Sequence, residues 1–513
     1  MRRLRGILLL LVAPALLAAG VAACDGGDGG PSVDDRFAAL LSAWRQADFT
    51  GLPDLLTPQG RTLDPAEAKA TLAGAEGDLA ARRPALTAHG KAAVDHTDAS
   101  LSVGVSWPLP DGRTWAYDTK LAARLLGGRW HLYFGAETVH PSLETGQRLT
   151  LRTSPAQRGT VTAADGSAIV GDVPVVYVGV EPQRVPDVDA LVQRLSLVFR
   201  SVKVDVDLAG LPARIRAAKP DAFVDVVTLR KTDYTEVAGD LTGTDGVRTR
   251  TGSLSLPLTR TFARALLGTS GPATKELIDA SGGSLKDGDV AGLTGLQRRY
   301  DTLLRGRPGL SVVPVDPASG QAGEPLFTAP AAAGGTVATT IDARVQQAAD
   351  AAVAGTAKPS ALVAIRIGDG AVLAVANGPD AAGYDLALLG EVPGAASGWP
   401  ADPAALGVGA PWRIGADVFA GRSGPDGVVA APIGYAAAAA ALARGHWQQP
   451  TLVRTPAPGD PGPAGPAVSG TLTAAGLSAG VRGDVAYCVY VTGVGAGTDV
   501  TGPIADAFLA AIQ

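Results

Sequence analysis

Gly292-Leu293-Thr294-Gly295-Leu296-Gln297-Arg298-Arg299-Tyr300-Asp301, running on through Leu303-Leu304-Arg305-Gly306-Arg307-Pro308-Gly309, is the stretch that decides how this chain is read. Its glycines permit tight turns and helix entries that a Cβ would obstruct. Leu296, Tyr300, Leu303 and Leu304 recur at helical spacing and predict one apolar helix face. Upstream lie two further glycine-marked runs, Leu267-Gly268-Thr269-Ser270-Gly271-Pro272-Ala273-Thr274 and Arg158-Gly159-Thr160-Val161, the latter followed by Asp165-Gly166-Ser167-Ala168-Ile169-Val170. Downstream, the Pro/Ala/Gly stretch 329–335 predicts a boundary. Thr339-Thr340-Ile341-Asp342-Ala343-Arg344-Val345-Gln346 then opens a helix for which Thr340 is the expected cap. Ala361 to Ile367 and Ala371 to Ala376, joined by Gly368-Asp369-Gly370, predict a hairpin.

In order and spacing these runs resemble those of the class B penicillin-binding proteins. Arg158 to Val170 is similar to the opening of that family's non-catalytic dimerisation domain, and 267–274 and 292–309 are similar to its later signatures. Residues 339–349 and the hairpin resemble the start of its transpeptidase domain. The resemblance implies a serine nucleophile at a helix start with a lysine one turn later, a Ser-x-Asn loop, and a Lys-Thr-Gly strand.

At those places the sequence departs from the family. Pro393-Gly394-Ala395-Ala396-Ser397-Gly398 puts Ala395 at the nucleophile position and Gly398 at the lysine position. Val468-Ser469-Gly470-Thr471 resembles the substrate strand with Val468 in place of its lysine. From Trp399 to Ala405 the chain passes straight into Leu406-Gly407-Val408-Gly409-Ala410-Pro411-Trp412, a segment that in the family lies beyond the Ser-x-Asn loop, so that subdomain is expected to be deleted. No lysine follows Lys358, and Asn377 is the only asparagine of the chain. The residue usage indicates a GC-rich genome, which thins lysine on surfaces. It does not remove a proton-transfer lysine from a working site, because guanidinium stays protonated.

The expected fold is therefore multidomain α+β. A signal peptide, 1–24, and a flexible tether, 25–33, precede an NTF2-like α+β cone over 34–145, a dimerisation-like domain over 146–335, and a shortened serine-transpeptidase domain over 336–513. This last domain is β-lactamase-like α/β with an antiparallel sheet. The cone is read from the amphipathic helix Asp35 to Trp44, the alternating strands Ser100 to Trp107 and Thr114 to Leu121, and the closing run Arg129 to Phe134. It resembles the NTF2-like domain of penicillin-binding lipoproteins. The sequence names no polar groups converging inside it, so a spacer role is expected over a ligand pocket.

Met1-Arg2-Arg3-Leu4-Arg5, the apolar run Ile7 to Leu17 and Val21-Ala22-Ala23-Cys24 read as a secretory signal ending in a lipobox. The apolar run falls short of the roughly 20 residues of a spanning helix. Acylated Cys24 is thus expected to hold the protein on the extracytoplasmic face of the cell membrane. Cys488, in the apolar run 485–491, then has no disulfide partner and is expected to be a buried thiol. A length of 513 residues requires about two to four domains. A net charge of −5 with a pI near 5.6 argues against nucleic acid.

No replacement active site is expected. His446, beside Trp447, is the one histidine beyond His140, while His89, His96, His131 and His140 lack metal-ligand spacing. Asp417, Asp426 and Asp484 sit near glycines in a turn pattern. The expectation is a pseudo-transpeptidase without catalytic residues, metal or cofactor, partnered by peptidoglycan or cell-wall synthesis proteins. Two alternatives stay open: an active D,D-transpeptidase using an atypical serine, Ser397 or Ser469, and a ligand-binding lipoprotein working through the cone.

Overall fold

The computed structural model describes residues 31–202, 204, 206–379, 385–394, 403–425, 427–456, 475–494 and 499–513. They form two units. One comprises the described residues up to Arg152 together with Ser311–Thr328, and the other comprises Thr153–Leu310 with Ala329–Gln513.

In the first unit, helix Val33–Gln46 begins with a capping box, in which Ser32 Oγ accepts from Asp35 N and Asp35 Oδ2 accepts from Ser32 N. Its apolar stripe of Phe37, Leu40, Leu41 and Trp44 is buried. Helix Pro65–Glu76 follows, with the Asp64 side chain at its N-cap. The sheet is seven-stranded. Its longest pair, Asp98–Pro108 against Thr114–Leu126, runs antiparallel with Leu101 opposite Leu121 and Trp107 opposite Trp115. Alternate residues Leu101, Val103, Val105 and Trp107 are buried, as a half-covered sheet requires. The turn between these strands holds Asp111 at φ 60.

The second unit is built on a long strand, Ala168–Val180, flanked antiparallel by Val224–Arg230 and Val247–Pro257. Helices Val188–Ser201, Leu211–Ala217 and Lys231–Thr242 supply Leu191, Leu195, Phe199, Ile215 and Leu241 to the core on this sheet. The same sheet is extended by Val161–Thr162, Val337–Thr339 and Val453–Thr455. The chain to either side of 335 therefore shares one sheet and one core, in which Val161, Leu266 and Leu296 cluster with Val337, Ile341 and Val453.

A four-stranded antiparallel sheet follows in the spatial order Val372–Asn377, Ser360–Arg366, Val485–Val491, Leu477–Arg482. The period of two sorts its residues. Leu362, Ala364 and Val489 meet helices Ala343–Val353 and Gly502–Ala511, while Val363, Ile365 and Cys488 face the core that holds helix Pro432–Arg444. Residues Pro432 to Ala441 are all buried, which suits an alanine-rich helix that is apolar on every side. That helix ends at Gly445, whose φ of 88 suits a residue without a Cβ. Cys488 is free, fully buried, and its thiol is pushed well above the usual range by that burial.

Two local expectations are corrected. Helix Ala343–Val353 is capped by Asp342, whose carboxylate accepts from Arg344 N and Val345 N. Thr340 is instead fully buried and donates its hydroxyl to Val372 O and Thr451 O, joining two backbone segments. The run 296–304 is not one helix but two short ones, Gly295–Arg299 and Asp301–Leu304. The break falls at Tyr300, whose φ of −105 and ψ of 21 are not helical, and beside it Gln297 O accepts from Arg158 Nη2. Leu303 is left 37% exposed, off the expected face.

Candidate functional site

The glycine-marked runs meet at one place within the second unit. Arg158 spreads its guanidinium across the Gly295–Arg299 turn, donating from Nε to Gln297 Oε1 (2.9 Å) and from Nη1 to Asp301 Oδ1 (2.8 Å). Asp301 Oδ1 also accepts from Gly292 N at 2.7 Å. The glycines are needed for contact: a Cβ on Gly292 would lie 1.9 Å from Gln297 O, and Gly268, at φ +71, would press one against Thr294 O at 2.0 Å. Tyr300 reaches across to donate to Gly415 O at 2.8 Å. This is a framework junction, since Arg158, Gln297, Asp301 and Tyr300 bond to one another and to backbone groups of the fold.

Two described segments, 372–379 and 385–394, precede the place where the resemblance puts an acyl-transfer nucleophile. Strand Val372–Asn377 ends at Asn377, whose Nδ2 donates to Asp385 Oδ1 and whose Oδ1 accepts from Ala387 N, both at 3.0 Å. Asp385 also accepts from Leu388 N, capping the short helix Leu386–Leu389. Burial raises its carboxyl to about 6, against the opposing pull of the Asn377 amide. Val392–Pro393 then pairs with Gly427–Ala430, and Gly394 N donates to Val428 O at 2.7 Å. From the core, fully buried Tyr435 donates its hydroxyl to Val392 O at 3.2 Å. Residues 385–394 are thus held by named bonds to Asn377, Val428 and Tyr435.

The residues singled out beyond that point, Ala395, Ser397 and Gly398, lie outside the described residues, as do Val468, Ser469, Gly470 and Thr471, and Cys24. Other groups weighed in the sequence as alternatives have these partners. Lys358 donates from Nζ to Gly493 O at 2.7 Å. Asn377 has both amide atoms occupied. Among the described residues no serine hydroxyl or carboxylate hydrogen-bonds His446, and none form a group of three or more His, Cys, Asp or Glu able to hold a metal ion. Asp417 pairs with Arg299 at 2.6 Å, and Asp484 accepts from Gly368 N. Asp426 lies outside the described residues.

The cone interior holds groups that sequence reading missed. Trp44 Nε1 donates to Glu76 Oε1 at 3.0 Å, and Arg83 lies 3.3 Å from the other carboxylate oxygen. Burial raises Glu76 to about 7. Trp107 Nε1 donates to Tyr117 Oη, which donates to Val139 O. His140 stacks on Trp115 with ring centroids 5.3 Å apart, and burial lowers it to about 4. Glu76 falls on a helix whose alanines mask any apolar stripe, so the sequence carries no signal that it turns inward.

Comparison with known proteins matches two segments. Residues 32–147 match the family described as NTF2-like N-terminal transpeptidase domain, and residues 153–339 match the penicillin-binding protein dimerisation domain. No curated relative matches the chain. Among solved structures, the chain is similar to one from the complex between Penicillin-Binding Protein (PBP2) and MreC from Helicobacter pylori. That match has 12% identity and a TM-score of 0.43 and covers 63% of this chain and 81% of that one.

Proposed function

We propose, for a chain that is class B penicillin-binding-protein-like, a role in cell-wall synthesis without acyl transfer. It works by binding peptidoglycan or other proteins of wall synthesis. The observation that carries this reading is the use made of the last two candidate groups. The only asparagine of the chain is spent on Asp385 and Ala387, and the last lysine on Gly493 O. A Ser-x-x-Lys and Ser-x-Asn network has no residues left to form from. The bonded segments 372–379 and 385–394 support selection on the frame, since function resides in sites and a frame can keep partner surfaces after losing one.

Acylation of Cys24 tethers this frame outside the membrane in the proposal. Among the described residues no helix is long and apolar enough to cross a bilayer. The functional reading is tested by complementation. In a strain lacking the gene, a copy carrying Ser397→Ala with Ser469→Ala restores wall growth as fully as the wild type. A double variant that is made at normal levels yet fails to restore growth would show a serine nucleophile at work.

A further inference from the structure

The dimerisation-like domain contains a cavity of about 430 Å³, outside the segments 372–379 and 385–394. Its volume falls in the range of about 300–1,000 Å³ usual for small-ligand sites. Val175, Leu254 and Leu256 give it an apolar wall, and Arg230, Arg260 and Arg264 line it together with Thr228, Ser255 and Thr269. The arginines differ in their engagement. Arg230 donates from Nη2 to Pro257 O at 2.7 Å, and Arg260 forms an ion pair with Asp233. Arg264 is exposed and has no partner among the described residues. Ser255 Oγ is buried, also without a hydrogen-bond partner among the described residues.

A buried hydroxyl without a partner is destabilising unless something supplies the bond. Clustered guanidinium groups repel, and burial together with the nearby Arg260 cation presses Arg230 below its usual range, against the pull of Asp233. Both features favour an anion in the cavity. The guanidinium fork matches a planar carboxylate through paired hydrogen bonds. The apolar wall requires that the anion carry an aliphatic body.

We propose that this cavity binds a carboxylate attached to an apolar side chain, as at the C-terminal residue of a peptide or in a free N-acylated amino acid, with Arg264 as the principal charge partner. The proposal is independent of whether the chain retains acyl transfer, because it rests on the residues that line the cavity and on none of those named between Val372 and Gly394.

The test uses the full chain and N-acetyl-L-leucine as probe, with binding followed by saturation-transfer NMR. N-acetyl-L-leucinamide, which has the same body and no charge, binds at least about tenfold more weakly. Arg264→Gln weakens the acid by a similar factor while leaving circular dichroism and the melting temperature unchanged, as an exposed side chain without partners allows. A leucine-terminated tripeptide that binds as tightly as the free acid, or more tightly, assigns the site to chain ends; weaker binding assigns it to the small acid. Equal binding of acid and amide, unchanged affinity in Arg264→Gln, or no saturable binding of the acid overturns the proposal.

Discussion

Arg158→Ala destabilises the second unit by about 3–5 kcal/mol, the loss expected when one member of a buried ion pair is removed. The side chains of Arg158 and Asp301 are only 8% and 15% exposed, so water cannot replace the lost guanidinium. Asp301 would keep the Gly292 N–H and an Arg305 contact at 3.6 Å, too long for a good hydrogen bond. Gln297 would lose the partners of both its side-chain oxygen and its carbonyl. Urea unfolding of the full chain reads the change as a lower midpoint for the transition of this unit. Arg158→Lys recovers the charge but not the fork, and so restores less than half of the loss. A change below about 1 kcal/mol, the size of an exposed pair, would contradict the junction.

Asn377→Ala is expected to cost about 2–4 kcal/mol, because it removes a hydrogen bond to a carboxylate and leaves the Ala387 N–H without its acceptor. The loss depends on pH with a defined sign. The folded pKa of Asp385, about 6, lies above the ordinary aspartate value of 3.8. Stability from this group is therefore complete below about pH 4 and is lost as pH rises through 6. Asn377 offsets part of that loss by donating to the ionised form. The variant is accordingly closer to wild type at pH 5 than at pH 8, and thermal unfolding at the two values measures the difference. A penalty equal at both pH values would remove Asp385 from the account.

The sequence shows most of the strands because their period is simple and local. The hairpin Ser360–Arg366 with Val372–Asn377, the strand Val485–Val491 and the pair Asp98–Pro108 with Thr114–Leu126 follow from alternation and from turns rich in glycine or proline. Longer-range features were not legible. Whether Thr340 caps a helix or ties two backbone segments depends on Thr451, more than a hundred positions away, and the contact of Arg158 with Gln297 spans a similar distance. Likewise, nothing local says that Val161–Thr162 runs parallel to Val337–Thr339, or that Ser311–Thr328 returns to the first unit. At the candidate site the scarcity of lysine and asparagine was plain from composition. That Asn377 is used as a clamp on Asp385 became visible only when the strand and the short helix were brought together.

The proposed loss of acyl-transfer chemistry is tested most directly by the intact mass of the whole chain before and after exposure to a fluorescent penicillin. The expected result is an unchanged mass under conditions that fully label an active serine transpeptidase. A stoichiometric adduct, mapped by digestion to Ser397 or Ser469, would contradict the account and identify the nucleophile.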